Sequence, residues 1–282
     1  MSKKQKLLGL IGAVVLVGAI YFIYEYVMYV SNDNASVQAN TVMLAPKVGG
    51  YVVKVNFTEG MHVKKGTVLV ELDDRDYKNN LNQLSADRLG LEAARRDAER
   101  NFGRISNLYK SEAVSQQQYD QTLANVSGVR ARYDAVSAQI AQSELNLSNT
   151  KIVAPVDGVV ARKSVEIGQL AAPGVPLLGF VGSAERWVVA NFKETDLSSL
   201  KIGSKVDVKV DAIGGREFHG EIESMNSATG ATFALLPPDN ATGNFTKVVQ
   251  RIPVRIKLPN LTPADIELLK AGLSAEVKVH KR

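Results

Sequence analysis

The stretch "VNFTEGMHVKKGTVLV", Val55 to Val70, has a counterpart about a hundred residues later in "VEIGQLAAPGVPLLGF", Val165 to Phe180. In the first copy Gly50, Gly60 and Gly66 are spaced by ten and then six residues; Gly158, Gly168 and Gly174 repeat that spacing in the second. Upstream, Ala45-Pro46 aligns with Ala154-Pro155. Both copies alternate apolar and polar residues, as "YVVKVNF" and "VVARKSVEI". Period-two alternation bounded by glycine reads as short antiparallel strands. Glycine at the six matched positions suits tight turns, because it adopts positive φ without a Cβ clash. A segment of about thirty residues buries too little to stand alone. The two copies are therefore expected to close as interlocking halves of one domain, 42–75 with 151–183, and whatever lies between is inserted at the seam.

That insert carries no proline: all nine prolines lie outside the window between Pro46 and Pro155. Proline breaks helix interiors, so its absence permits long helices. Leu81, Leu84, Leu91, Ala98, Phe102, Ile105 and Tyr109 recur at steps of three and four, with Arg88 and Arg95 interrupting. A second series runs Tyr119, Leu123, Val126, Tyr133, Ile140 and Leu147. The rhythm breaks between them at "YKSEAVSQQQ", Tyr109 to Gln118. Heptad-like spacing of this kind predicts an antiparallel helical hairpin over 76–150, each arm about 50 Å long.

The N-terminus reads "KKQK" and then eighteen uncharged residues, Leu7 to Tyr24, with the apolar run continuing past Glu25 to Val30. A bilayer core requires about 20 apolar residues. The apolar region of a cleaved signal peptide is only about 7–15 residues long, so an uncleaved anchor over 7–30 is expected. Lysines ahead of the span leave 1–6 in the cytoplasm and send the bulk of the chain to the periplasm. Tyr21, Tyr24, Tyr26 and Tyr29 suit an aromatic belt at the outer face. Glu25 reads as snorkelling to the interface, or as facing a polar group on a membrane partner. The net charge of +5 gives no dense basic patch. Between Asp73 and Thr150 ten Lys/Arg stand against eleven Asp/Glu, so nucleic acid is not an expected partner. There are no cysteines, which removes disulfides and thiolate metal sites.

With these features in place, the chain resembles a known family. The pattern EGxxVxxGxxL, Glu59 to Leu69, resembles the half-motif of lipoyl and biotinyl domains, the barrel-sandwich hybrids. Carrier domains of that type present a modifiable lysine at a hairpin tip; here "ELDDRDY", Glu71 to Tyr77, departs into helix with no acceptor lysine. Anchor, half-motif, hairpin, second half-motif and β-rich tail together resemble the HlyD-type membrane fusion proteins, which are periplasmic adaptors. The tail "FALLPPDNATGNFTKVVQRIPVRI", Phe233 to Ile256, is similar to their EmrA-type branch. The resemblance implies a mainly β protein with a long helical hairpin. After the transmembrane helix, its barrel-sandwich hybrid domain is split by the coiled-coil hairpin and followed by a small β-barrel over 184–282. It also implies an adaptor that links an inner-membrane transporter, of the major facilitator superfamily, to a TolC-like outer-membrane channel for export of drugs or other small molecules. Such adaptors self-associate into a ring and use no cofactor. A type I protein secretion adaptor and a lipoyl-like carrier subunit are the alternatives.

Adaptors that dock on TolC-like channels carry RxxxLxxxxxxS at the hairpin tip, and Arg104, Leu108 and Ser115 stand here at that spacing. A guanidinium and a hydroxyl offer polar contacts around a leucine that an interface can bury. Ser115 also suits a helix N-cap, and Leu108 suits seam packing. In the tail, "WVVANF", "KVDVKV", "EFHGEIESM", "VVQRIPVRIKL" and "AEVKVH" predict five or six strands, and "FKETDLSSLKIG" a short helix. Trp187 is expected in the core. No catalytic set is expected: His62, His219 and His280 lack zinc-ligand spacing, and no nucleophile elbow or phosphate-binding glycine loop occurs. Asp73, Asp74 and Asp76 read as charges favouring the first turn of a helix.

Overall fold

The structure, a computed structural model, describes residues 27–214, 216–229 and 249–281, with Leu16 and Glu25 before them. These divide into two compact units: residues 42–180, and residues up to 41 together with those from 181 on. Strands β1 (Tyr29–Leu44) and β8 (Leu178–Lys193) contribute residues to both.

Within 42–180 lie β2 (Gly50–Val55), β3 (His62–Val63), β4 (Val68–Leu72), β5 (Lys151–Val153), β6 (Gly158–Lys163) and β7 (Leu170–Ala171). The halves interlock as expected: β2 pairs with β7, β3 with β6 and β4 with β5, each from the opposite copy. A pseudo-twofold governs the hydrogen bonds. The Gly60 N–H donates to the Val160 carbonyl and the Gly168 N–H to that of Val52, both at 2.8 Å. Likewise the Gly66 N–H donates to the Ala154 carbonyl at 2.8 Å and the Gly174 N–H to that of Pro46 at 3.0 Å. Pro46 therefore matches Ala154, one residue away from the alignment that sequence suggests. The core repeats too. Buried Val52, Phe57, Val63, Leu69, Val70 and Leu72 have buried counterparts in Val160, Val165, Ala171, Leu177, Leu178 and Phe180.

Gly60 and Gly168 have φ of +80° and +85°, and a Cβ on either would meet no atom within 4 Å. Strain alone would act there. Valine at either position is expected to lower stability in chemical denaturation by about 1–2 kcal/mol, equally at the two sites. Unequal costs would break the pseudo-twofold. Gly66 and Gly174 share the left-handed geometry. Gly50 and Gly158 are corrected: they are not turn residues but open β2 and β6, in register with Ala171 and Val63.

Between the halves rise α1 (Arg75–Lys110) and α2 (Gln116–Ser148), 36 and 33 residues long, or roughly 50 Å each. At the base of α1 the Tyr77 hydroxyl donates to the Gly49 carbonyl at 2.7 Å. Asp74 is the N-cap residue and pairs with Lys78 at 2.9 Å. The Arg75 side chain, followed by its N–H, binds Asp73 and holds that carboxyl down at about 2. Ala98 and Ile140 are the buried apolar residues of the two helices. Arg88 and Arg95 occupy the seam rather than interrupting it, and the Arg95 guanidinium lies 4.3 Å from the Tyr133 ring centroid. Leu123, expected in the seam, is exposed, and Thr122 is buried instead.

The second unit contains β9 (Lys205–Val210), β10 (Glu217–Met225), β11 (Arg251–Lys257) and β12 (Ser274–His280), along with parts of β1 and β8. The strands follow the order β1-β12-β9-β10-β11-β8, and β8 also pairs with β1, so the six-strand path returns on itself. In β9 Val206, Val208 and Val210 point inward while Lys205, Asp207 and Lys209 alternate outward. The short helix expected here forms as a 3₁₀ helix, Glu194–Ser199. Helix α3 (Pro263–Leu268) opens with a capping box between Thr262 and Asp265 and brings Leu269, fully buried, into the core. Arg186 is buried, and among the described residues it has no carboxylate partner. Its guanidinium donates to the carbonyls of Gly182, Glu185 and Leu269 at 2.7–2.9 Å.

Three expectations change here. The barrel expected over 184–282 also takes in an earlier strand, β1, whose Tyr29–Ser36 pair with β12. Trp187 is not core: it faces outward, half-buried, with the Arg255 guanidinium 4.0 Å from its ring. Among the described residues no helix is long and apolar enough to cross a membrane. Most of the anchor expected at 7–30 falls outside them, as do Tyr21, Tyr24, Tyr26 and most of the Phe233–Ile256 stretch. Its last two residues, Tyr29 and Val30, are strand. Glu25 has an internal partner, the Lys278 ammonium at 2.7 Å.

Candidate functional site

The free end of the hairpin is built by two different caps. Helix α1 stops at Lys110. The Glu112 N–H then donates to the Tyr109 carbonyl at 3.0 Å, and the Ala113 N–H to that of Leu108 at 2.9 Å. This bond pair is a Schellman motif, with Glu112 at the left-handed position, φ 61°. Two residues on, Ser115 has extended backbone, and its hydroxyl accepts from the Gln118 N–H at 3.3 Å, capping α2. Beneath the turn Tyr109 stacks on Tyr119 at 4.8 Å between centroids, and Phe102 tilts against Tyr119 at 5.6 Å. These rings tie the two helix ends together.

All three residues of the spaced motif come to this end of the hairpin. Arg104 lies on the last turns of α1, exposed, with one long hydrogen bond of 3.5 Å to the Asn101 side chain. Leu108 is 44% exposed, so seam packing does not account for it. Ser115 caps α2. The tip thus presents a guanidinium, a leucine and a hydroxyl on a frame held by backbone bonds and aromatic stacking. Glu112 was not singled out from the sequence, and Phe102, Tyr109 and Tyr119 stood there only as members of the seam series.

Elsewhere one polar cluster stands out. His219 and His280, far apart in sequence, both meet Asp207: Nδ1 of His219 at 2.8 Å and Nε2 of His280 at 2.7 Å. Burial pushes the Asp207 carboxyl up, but the two imidazole hydrogen bonds outweigh it and hold the group below its usual range. On this outward face Asp207 is in register with His219 on β10 and Lys278 on β12, while Lys209 faces Glu217 and Glu276. Alternating charge explains the cluster as cross-strand pairing. Among the described residues no group of His, Cys, Asp or Glu is arranged to hold a metal ion.

Comparison with known proteins agrees with this architecture. The family profile described as the RND MFP barrel-sandwich hybrid domain matches residues 40–178, and that of the CusB-like beta-barrel domain matches 186–282. The colistin resistance protein EmrA of Acinetobacter baumannii is 32% identical over all of this chain and 96% of its own length. The multidrug export protein EmrA of Haemophilus influenzae is 33% identical, over 93% of this chain and 79% of its own. A MacA-MexA chimeric protein containing the Pseudomonas aeruginosa MexA α-hairpin domain shares the fold, with TM-score 0.61, 23% identity, and coverage of 90% of this chain and 82% of its own. By its full-length similarity to these relatives, this chain belongs to the EmrA-like branch of the membrane fusion proteins, the family of periplasmic adaptors.

Proposed function

We infer that the chain is the periplasmic adaptor of a tripartite efflux system, linking an inner-membrane transporter to a TolC-like outer-membrane channel for export of drugs or other small molecules. The observation that carries this reading is the hairpin. A pair of helices roughly 50 Å long, with a thin seam, makes a poor core but a suitable spacer. It occupies the place between β4 and β5 where a carrier domain would hold its acceptor lysine. Its tip exposes the three side chains of the docking motif. The adaptor acts by assembly and catalyses no reaction of its own. Its relatives are named for multidrug export and colistin resistance, which favours small-molecule cargo over protein cargo. The transporter is taken to belong to the major facilitator superfamily. Several copies ring the axis, and the N-terminal apolar run anchors each in the inner membrane.

Site-specific photo-cross-linking in the native host tests this reading. A photoreactive side chain at Lys110 is expected to cross-link to the TolC-like channel. One at Leu89, exposed but partway along the arm, is not. A reporter fused after Arg282 should be active only in the periplasm. Cytoplasmic activity of the fusion, or equal cross-linking at both positions, would remove the adaptor assignment.

A further inference from the structure

We propose that Glu112 is a further docking residue of the hairpin tip, its carboxylate pairing with a guanidinium or ammonium group of the channel; the proposal rests on the tip-docking reading above. The chain adopts left-handed backbone at Gly60, Gly66, Gly168, Gly174, Gly203 and Gly272, and among the described residues Glu112 is the one non-glycine that does so. At this position of a Schellman motif glycine is the strongly favoured residue, because any Cβ strains the turn. The charge is also unfavourable where it stands. A carboxylate just past the C-terminus of α1 opposes the negative end of the helix dipole, where a cation would be stabilised.

No local interaction offsets these two effects. Among the described residues the Glu112 carboxylate has no hydrogen-bond or ion-pair partner, and it is exposed. Arg104, the nearest motif cation, directs its guanidinium to Asn101 instead. A side chain held in an unfavourable conformation, against the dipole and without a partner, at the apex of the docking end, has its counterpart outside the molecule. The tip then offers charge of both signs around Leu108, and that fixes the orientation of docking as well as its strength.

The proposal makes stability and function move in opposite directions. Glu112→Gly relieves the strained φ, so the hairpin should melt at or above the wild-type temperature. Cross-linking to the channel that wild type engages should nevertheless fall about tenfold, the effect expected on losing one interfacial charge pair. Glu112→Gln should lose a similar amount and also remove part of the salt dependence, and Glu112→Lys should abolish cross-linking. Leu108→Asp serves as the reference for the tip. Wild-type cross-linking in both Glu112→Gly and Glu112→Lys, with Leu108→Asp inactive, would overturn the role of Glu112 and leave the tip reading standing. Retained cross-linking in Leu108→Asp would overturn both. A Glu112→Gly variant that melts earlier than wild type would make the residue structural.

Discussion

Leu108→Asp is expected to abolish channel cross-linking and drug resistance while the hairpin melts close to wild type. The residue is 44% exposed already, so a carboxylate there meets little desolvation. What Leu108 gives the fold comes from its backbone, whose carbonyl accepts from the Ala113 N–H and the Ser111 hydroxyl, both at 2.9 Å. Those bonds survive any side chain that tolerates helix. A new negative charge in the last turn of α1 opposes the dipole by about 0.5 kcal/mol, a shift of only a few degrees. In the docked state the same carboxylate would be buried without a partner, at a cost of several kcal/mol, enough to dissociate the complex. Ile140→Asp is the contrast. Ile140 is 6% exposed within the seam, and a charge there should cost about 3–5 kcal/mol and unfold the hairpin. If Leu108→Asp melts as early as Ile140→Asp, Leu108 is a packing residue. If it keeps both cross-linking and resistance, the docking assignment fails.

The parts of this fold that sequence reveals are those where local backbone chemistry and long-range pairing ask for the same residues. Gly60 and Gly168 are needed by their turns, and the same turns set the register between the halves, so glycine spacing alone locates the domain. The hairpin is legible for a related reason: the absence of proline and a three-four rhythm both follow from helix geometry. Strand β1 is hidden because its alternation is interrupted. Val30, Ala35, Val37 and Ala39 are buried, but a register shift between Asn32 and Ala35 breaks the period of two, and the preceding apolar run masks its start. Arg95 reads as an interruption only because a guanidinium counts as polar in a pattern, whereas its contact with Tyr133 lets it occupy a seam position. His219 and His280 are 61 positions apart, and only the pairing of β9 with both β10 and β12 brings them to Asp207. At the tip, Arg104, Leu108 and Ser115 are visible by spacing. Glu112 is not, because a left-handed C-terminal cap is normally announced by glycine.

Gly220 gives the largest expected loss of stability in the barrel, for a reason unlike that at Gly60. It lies within β10, opposite Val206 of β9, where its flank runs against β11. A Cβ built on it would stand 2.7 Å from the Lys257 carbonyl oxygen, 2.8 Å from Cγ2 of Ile256 and 3.2 Å from Cδ2 of Leu258. The first of these is backbone and belongs to a strand in register with β10, so it can yield only if the ladder moves. Overpacking of this kind costs typically 1–3 kcal/mol, and a backbone clash belongs at the upper end. For a domain whose whole stability is about 5–15 kcal/mol, Gly220→Ala should sharply lower the folded yield, and Gly220→Val should prevent accumulation. Asparagine separates the two mechanisms. At Gly60 there is open space, and asparagine tolerates positive φ, so Gly60→Asn should be nearly neutral. At Gly220 asparagine carries the same Cβ as alanine and should be at least as harmful. Thermal melts with amide exchange read over β10 and β11 would report the difference. A Gly220→Ala protein that melts with wild type would mean that β10 and the Lys257 carbonyl do not approach as closely as the structure places them.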